Sequence, residues 1–415
     1  MEQKKNFNKF LLLWFGEFVS SIGSGLTAFG LGVYIFKVTG SAASMSLVTL
    51  LGFLPSLLLS VPAGILADRY DRRLLMMIGD GCSALGVLFI LICMIRGEAS
   101  LWQICLGVSI SAVFSALLEP SYRATITDLL TKEEFSKASG LVSLAGSSRY
   151  LFSPLIAGLL LTISDVKLLL IIDIATFLLT VTGAAVVRKG IGAKALETKE
   201  AFFESFKTGR KVLRETKGLL ALVFMSAGIT LFMGMFQTLA KPLILSFQDE
   251  KTLGIAETIC ACGMLASGVF LGIKGIKKNY VIYLSLSLSL AGVCMFGFGL
   301  FENIVPVCIF GFLFFSMLPV ANNCMDYLAR INIPVDTQGR VWGLIGFISQ
   351  LGYVAAYAAS GVIADTLGKI GNRGVGRGSA LLIIIAGLSL AVFSTGIFFR
   401  KNIKSLEKKE IVYEI

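Results

Sequence analysis

The chain has 415 residues, 55% of them hydrophobic and 15% charged, with a formal net charge of +11. A soluble domain carries about 25% charged residues, so composition excludes a soluble globular protein; at ~20 residues per spanning helix the length accommodates about twelve crossings. The basic residues flank apolar runs and do not form a stripe interleaved with aromatics, which argues against a nucleic-acid surface.

The apolar runs predict helices over 9–36, 42–67, 74–95, 101–123, 137–163, 167–187, 218–246, 252–273, 279–300, 303–329, 339–366 and 379–399. This reads as an all-α integral membrane protein: a six-helix half over 1–187, a cytoplasmic linker over 188–217 and a second six-helix half over 218–415. With the N-terminus inside, cytoplasmic segments hold 28 of the 37 Lys and Arg residues and outer loops hold eight. The positive-inside tendency then puts both termini in the cytoplasm. The first run is too long for a cleavable signal, and no small-residue cleavage site bounds it.

The first helix carries Glu17, followed by Ser20, Ser21, Ser24 and Thr27 at spacings that make one polar stripe. The serines also suit helix packing. Glu17 lies ~12 Å from the inner end, where a carboxylate must be paired, protonated or in contact with water.

Between the second and third runs stands Gly64-Ile65-Leu66-Ala67-Asp68-Arg69-Tyr70-Asp71-Arg72-Arg73. Such a loop lies at the membrane surface. Gly64 removes a side chain where the end of one helix is expected to approach another closely. Asp68, at a helix end beside Arg69, Arg72 and Arg73, reads as a charge lock that makes and breaks. The competing reading is a topogenic basic loop with no moving part.

In the fourth run, Pro120 is expected to bend or end the helix, and Glu119 and Arg123 are spaced to pair on one face. The fifth run holds Arg149, ~18 Å from its inner end, a permanent cation that must find a carboxylate, water or substrate. Ser153, Pro154 and Gly158 follow and loosen the helix. Asp173, in the sixth run, is satisfied either by water or by an interhelical hydrogen bond. In the linker, Phe202, Phe206 and Leu213 share a face among Lys199, Lys207, Arg210, Lys211 and Arg214, the pattern of an amphipathic helix on an anionic leaflet.

The second half repeats the first. A shift of 203 overlays Gly140 on Gly343, Tyr150 on Tyr353 and Gly158 on Gly361, and a shift of 204 overlays Gly64 on Gly268. The second copy of the basic loop has lost its Asp and its arginine pair. The glycine-rich stretch 368–378 lacks a Gly-Lys-Ser/Thr ending and reads as a flexible outer turn, not a phosphate cradle. Eight cysteines without a C-x-x-C pair, and no histidine, offer no metal site, and no cofactor is expected.

The loop Gly-x-x-x-Asp-Arg-x-x-Arg-Arg, the partial match of Ser153-Pro154-Leu155-Ile156-Ala157-Gly158 to an antiporter motif of the fifth helix, and the six-plus-six repeat together resemble the major facilitator superfamily. Gly339-Arg340-Val341-Trp342-Gly343-Leu344-Ile345 is similar to its bacterial macrolide-efflux-type drug exporters. The resemblance implies a bacterial inner-membrane secondary transporter, not an enzyme. It would export amphiphilic small molecules by alternating access, with protons as coupling ion; import of a nutrient or lipid on the same fold is the alternative, and a non-transporting scaffold a remoter one. It places the start of the eleventh helix, at Gly339 and Arg340, opposite Asp68. It turns the first and fifth helices toward a central cavity, so Glu17 and Arg149 are expected to pair there, with Ser20, Ser24 and Asp173 completing a substrate and coupling site. The fourth-helix arginine of many proton antiporters is missing, since 104–118 holds no charge. A monomer in the lipid bilayer is the expected assembly.

Overall fold

A computed structural model describes residues 2–131, 133–188, 218–334, 338–399, 403 and 405–408. The linker beyond Arg188, including its expected amphipathic helix, lies outside the described residues. Fourteen α-helices are labelled here in chain order: α1 Glu2–Thr39, α2 Ala42–Arg69, α3 Arg72–Arg96, α4 Leu101–Ser115, α5 Leu118–Leu129, α6 Phe135–Leu151, α7 Ser153–Leu160, α8 Val166–Arg188, α9 Leu219–Leu245, α10 Glu250–Lys274, α11 Tyr280–Leu300, α12 Ile304–Asn332, α13 Gln338–Ile370 and α14 Gly374–Phe399. Among the described residues eleven helices, with α4 and α5 counted together, are long and apolar enough to cross a membrane. The fifth span is not one of them because it is broken at Phe152 into α6 and α7. All-helical spans follow from the solvent: lipid offers no partner to backbone polar groups, so each span must satisfy its own.

Two stretches depart from the expected boundaries. The fourth span is interrupted at Ala116 and Leu117, one turn before Pro120, as a proline there requires: with no N–H on Pro120 the Ala116 carbonyl has no i+4 partner, and Pro120 itself stands in the first turn of α5. The span then runs on to Leu129, past the expected boundary. Pro154 likewise stands in the first turn of α7. In the stretch 368–378 the turn is confined to three residues, with Asn372 and Gly374 at positive φ. Helix α13 extends to Ile370 and α14 begins at Gly374, leaving three residues between them. Gly368 and Gly378 face each other across that corner: a Cβ on Gly378 would stand 2.6 Å from the Gly368 nitrogen. Their role is close packing of two helices.

The helices form two compact units. The first holds α1, α2 from Leu47 onward, α3 to α8 and Glu250–Thr258 of α10; the second holds Ser41–Ser46, α9, α10 from Ile259 onward, and α11 to α14. In the first unit α1 packs on α6, α7 and α8, while α3 packs on α4, α5 and α8. In the second unit α9 packs on α13 and α14, and α11 on α12 and α14. Within each set of six spans, the first therefore meets the fifth and sixth, and the third meets the fourth and sixth. The sequence repeat is a repeat of packing.

Candidate coupling site and charge network

Helix α1 carries small residues where α6 to α8 press against it. A Cβ on Gly23 would stand 2.9 Å from Asp173 Oδ1 and would also meet Thr176 Oγ1. The missing side chain lets the Asp173 carboxyl reach α1, where Ser24 Oγ donates to Asp173 Oδ1 at 3.4 Å. Asp173 is 1% exposed. Two residues along α1 from Gly23, Gly25 lies against the Arg149 carbonyl oxygen, and Ser153 Oγ donates to the Ile22 carbonyl at 3.0 Å. A serine stands where the family motif has a glycine, and it bonds α7 to α1.

Glu17 and Arg149 do not pair. No ion pair joins them among the described residues. The reason is register. Arg149 is level with Gly25, eight residues and ~12 Å further along α1 than Glu17. The Arg149 charge acts on Asp173 instead. The structure thus brings together Ser24, Asp173 and Arg149 and leaves Glu17 in a separate neighbourhood. There Ser21 donates a hydrogen bond to it, and its charged neighbours are Asp80 and Glu119. Ser20 is buried on the same helix.

Asp80 is the functional candidate that sequence reasoning missed. It lies in α3 between Gly79 and Gly81, 1% exposed, and its Oδ1 has no hydrogen-bond partner. The signal was available: a lone carboxylate within an apolar run, the same signal that marked Asp173.

At the basic end of the first unit, the expected lock around Asp68 has a different centre. Arg72 Nη1 donates to Asp128 Oδ1 at 2.7 Å and to the Ala124 carbonyl at 3.1 Å, and its Nε donates to the Ala67 carbonyl at 3.2 Å. Arg73, 2% exposed, holds Asp128 Oδ2 at 3.6 Å, too long for a hydrogen bond. Asp68 is 44% exposed and reaches only Arg72, at 3.9 Å. Arg69 is exposed, and a Cβ on Gly64 would meet nothing within 4 Å. Asp71 caps α3 by accepting from the Arg73 backbone N–H at 3.1 Å, and its Oδ2 accepts from Arg188 Nε at 2.7 Å. Burial alone would raise this carboxyl. The bonds from Arg188 and from the Arg73 and Leu74 N–H groups outweigh it and hold Asp71 below the ordinary aspartate value. Glu119 and Arg123 form the expected i,i+4 pair at 2.8 Å, exposed on both sides.

In the second unit uncharged side chains make hydrogen bonds between α9 and α13. Tyr357 donates to Gln237 Oε1 at 2.8 Å, Ser349 Oγ to Ser226 Oγ at 2.6 Å, and Thr230 to the Ser349 carbonyl. In the same unit Asp365 of α13 accepts from Ser41 Oγ and from the backbone N–H groups of Ala42 and Ala43.

With the helices and the buried carboxyls in place, the comparison with known proteins is direct. Residues 13–357 match the family model described as Major Facilitator Superfamily. The chain belongs to the Major Facilitator Superfamily. It is 28% identical to macrolide efflux protein A of Streptococcus pyogenes, over 89% of this chain and 92% of that protein. It is 27% identical to the protein of the same name from Enterococcus faecalis, over 75% of this chain and 98% of that one. The crystal structure of the nucleoside transporter NupG superposes with a TM-score of 0.74 at 14% identity, covering 95% of this chain and all of that one, a likeness of fold alone. The superfamily fold and these relatives make the chain a multi-pass membrane transporter of small molecules, not an enzyme.

Proposed function

We propose that the chain exports amphiphilic small molecules of the macrolide type, driven by proton entry, with residues 1–187 and 218–415 alternating access about the linker 188–217. The observation that carries this reading is Asp173: a fully buried carboxyl in a membrane span, bonded by Ser24 and lying in the field of Arg149. An intramembrane ionisable group is costly and marks a functional site by default. A proton and a cationic amphiphile can compete for this carboxylate, and each conformational state offers it different access to water. The uncharged polar groups of α9 and α13 suit orientation of a greasy substrate. The names of the relatives support efflux.

In this reading Gly64, Asp68, Arg69, Arg72, Arg73, Gly339 and Arg340 form the cytoplasmic gate. The partial positive charge at the start of α13 attracts Asp68 when the gate closes. Both termini are cytoplasmic, the membrane is the bacterial inner membrane, and the working unit is a monomer. The test is erythromycin transport in oriented membrane vesicles. Accumulation in inside-out vesicles that collapses when the pH gradient is dissipated is the expected result. Accumulation only in right-side-out vesicles would make the chain an importer, and indifference to the gradient would remove proton coupling.

A further inference from the structure

We propose that Asp80 is a proton-binding site in its own right, buried where α3 packs on α8, between the Asp173 site and Glu17. The inference rests on the proton-driven reading only for the use the bound proton is put to.

Helix α3 turns a polar face to the break. A Cβ on Gly79 would stand 3.2 Å from the Phe114 carbonyl oxygen and 3.6 Å from the Leu118 nitrogen, the residues on either side of the interruption between α4 and α5. One turn along, Ser83 Oγ donates to the Ser111 carbonyl at 2.9 Å and meets Ser115 Oγ at 2.8 Å. Asp80, next to Gly79 in sequence, is turned about 100° from that face toward Thr180 and Asp173 of α8, with Oδ1 buried and without a partner.

The groups around it come from every element that packs on α3. Helix α8 supplies Asp173 and the Thr180 hydroxyl. Helix α4 supplies no acid or base beyond the Cys105 thiol. Helix α5 supplies Glu119, Tyr122, Arg123 and Asp128, and of these Arg123 is committed to Glu119 and Asp128 to Arg72 and Arg73. Helix α1 supplies Glu17. No cation is paired with Asp80 among the described residues. An ionised carboxylate with an oxygen lacking any donor is strongly disfavoured in a membrane interior, and a proton removes that charge at once.

A second observation points the same way. Tyr122, 4% exposed, has a hydroxyl with no hydrogen-bond partner, and it lies in the field of Glu17. Asp80 interacts with both Glu17 and Asp173. Taking up one proton converts its carboxylate to the neutral acid, and releasing it places a charge in the buried interface of α3 and α8, where it repels the carboxylates of Asp173 and Glu17.

The test uses the proton itself as probe. Infrared difference spectra of the full-length protein in liposomes, recorded across a pH jump, report the C=O stretch of protonated carboxyls. The wild type is expected to show a band that Asp80→Asn lacks and Asp80→Glu shifts, and Asp80→Asn is expected to release about one proton fewer per chain on the alkaline jump. Identical spectra and proton counts for all three proteins would overturn the proposal. If Asp80→Asn does not fold, an unshifted band in Asp80→Glu overturns it equally. Erythromycin accumulation in inside-out vesicles is measured alongside. Its absence in the wild type would sink the export reading while leaving the infrared result to decide Asp80.

Discussion

Arg188 Nε donates to Asp71 Oδ2 at 2.7 Å, tying the end of α8 to the two-residue turn between α2 and α3. The same carboxyl caps α3, so one side chain serves two elements. Its value in the folded chain lies below the ordinary aspartate value. Its contribution to stability is therefore fully present above the unfolded value, ~3.9, and lost as pH falls through the folded one. Arg188 is 43% exposed, so screening limits the pair to about 1 kcal/mol or less. Asp71→Asn keeps the cap and loses the charge: acid unfolding below about pH 4 is expected to become shallower. Asp71→Ala loses the cap as well and falls ~1 kcal/mol further at neutral pH. Thermal unfolding in detergent across pH 3 to 7 separates the two. Equal pH dependence in wild type and Asp71→Asn would show that the charge contributes nothing.

The second prediction contrasts two aspartates. Asp128 neutralises Arg72 and Arg73, both buried, whereas Asp68 is half exposed and 3.9 Å from its nearest cation. Removing one partner of a buried pair strands the other charge, so Asp128→Ala is expected to cost ~3 kcal/mol and to cut folded yield sharply. Asp68→Asn is expected to leave folded yield unchanged while slowing transport through the proposed gate. Size-exclusion profiles of detergent extracts read the first effect and vesicle transport the second. A yield loss in Asp68→Asn as large as in Asp128→Ala would make Asp68 a structural residue and remove the contrast.

What the sequence made legible follows from what the bilayer demands. Continuous apolar runs had to become helices, and the repeat had to become a repeat of packing. The partners of individual charges were not legible, because depth along one helix does not set register against another. Glu17 and Arg149 both lie well inside their spans by sequence, ~12 Å and ~18 Å from the inner end, yet the contact at Gly25 puts Arg149 two turns beyond Glu17. The partner of Arg72 and Arg73 is likewise hidden, because the apolar run closes at 123 while backbone bonding carries α5, and Asp128 with it, on to Leu129. In 368–378 the glycines divide: Gly374, at φ +78°, serves the turn, while Gly368 and Gly378 permit two helices to touch.

Register can be tested by double-mutant cycles. Glu17→Gln and Arg149→Gln are expected to be additive in thermal stability within ~0.5 kcal/mol, as for separate sites. Asp173→Asn and Arg149→Gln share an interaction and are expected to couple by more than ~0.5 kcal/mol. The opposite pattern, with coupling confined to Glu17, would reinstate the pair that the structure leaves apart.

The last prediction concerns the start of α2. Asp365 accepts from Ser41 Oγ at 2.6 Å, from the Ala42 N–H at 2.9 Å and from the Ala43 N–H at 3.2 Å, all within the second unit. A carboxylate from α13 thus caps the N-terminus of α2, satisfying donors that no residue of α2 itself can reach and complementing the partial positive charge there. Gly361, one turn earlier on α13, lets the backbones close: its Cβ would collide with the Ala42 carbonyl and the Ser46 hydroxyl. Asp365→Ala removes all three bonds and is expected to cost about 1–2 kcal/mol locally. Since ~1.4 kcal/mol is a factor of ten, amide exchange at Ala42 to Ser44 should speed up roughly tenfold. Asp365→Asn retains one acceptor oxygen and the cap geometry, so its exchange should fall between the two. Hydrogen–deuterium exchange of the peptide covering residues 40–50 measures this. Exchange unchanged in Asp365→Ala would mean that Ser41, whose own hydroxyl accepts from the Ser44 N–H at 3.1 Å, is a sufficient cap and that the carboxylate adds nothing.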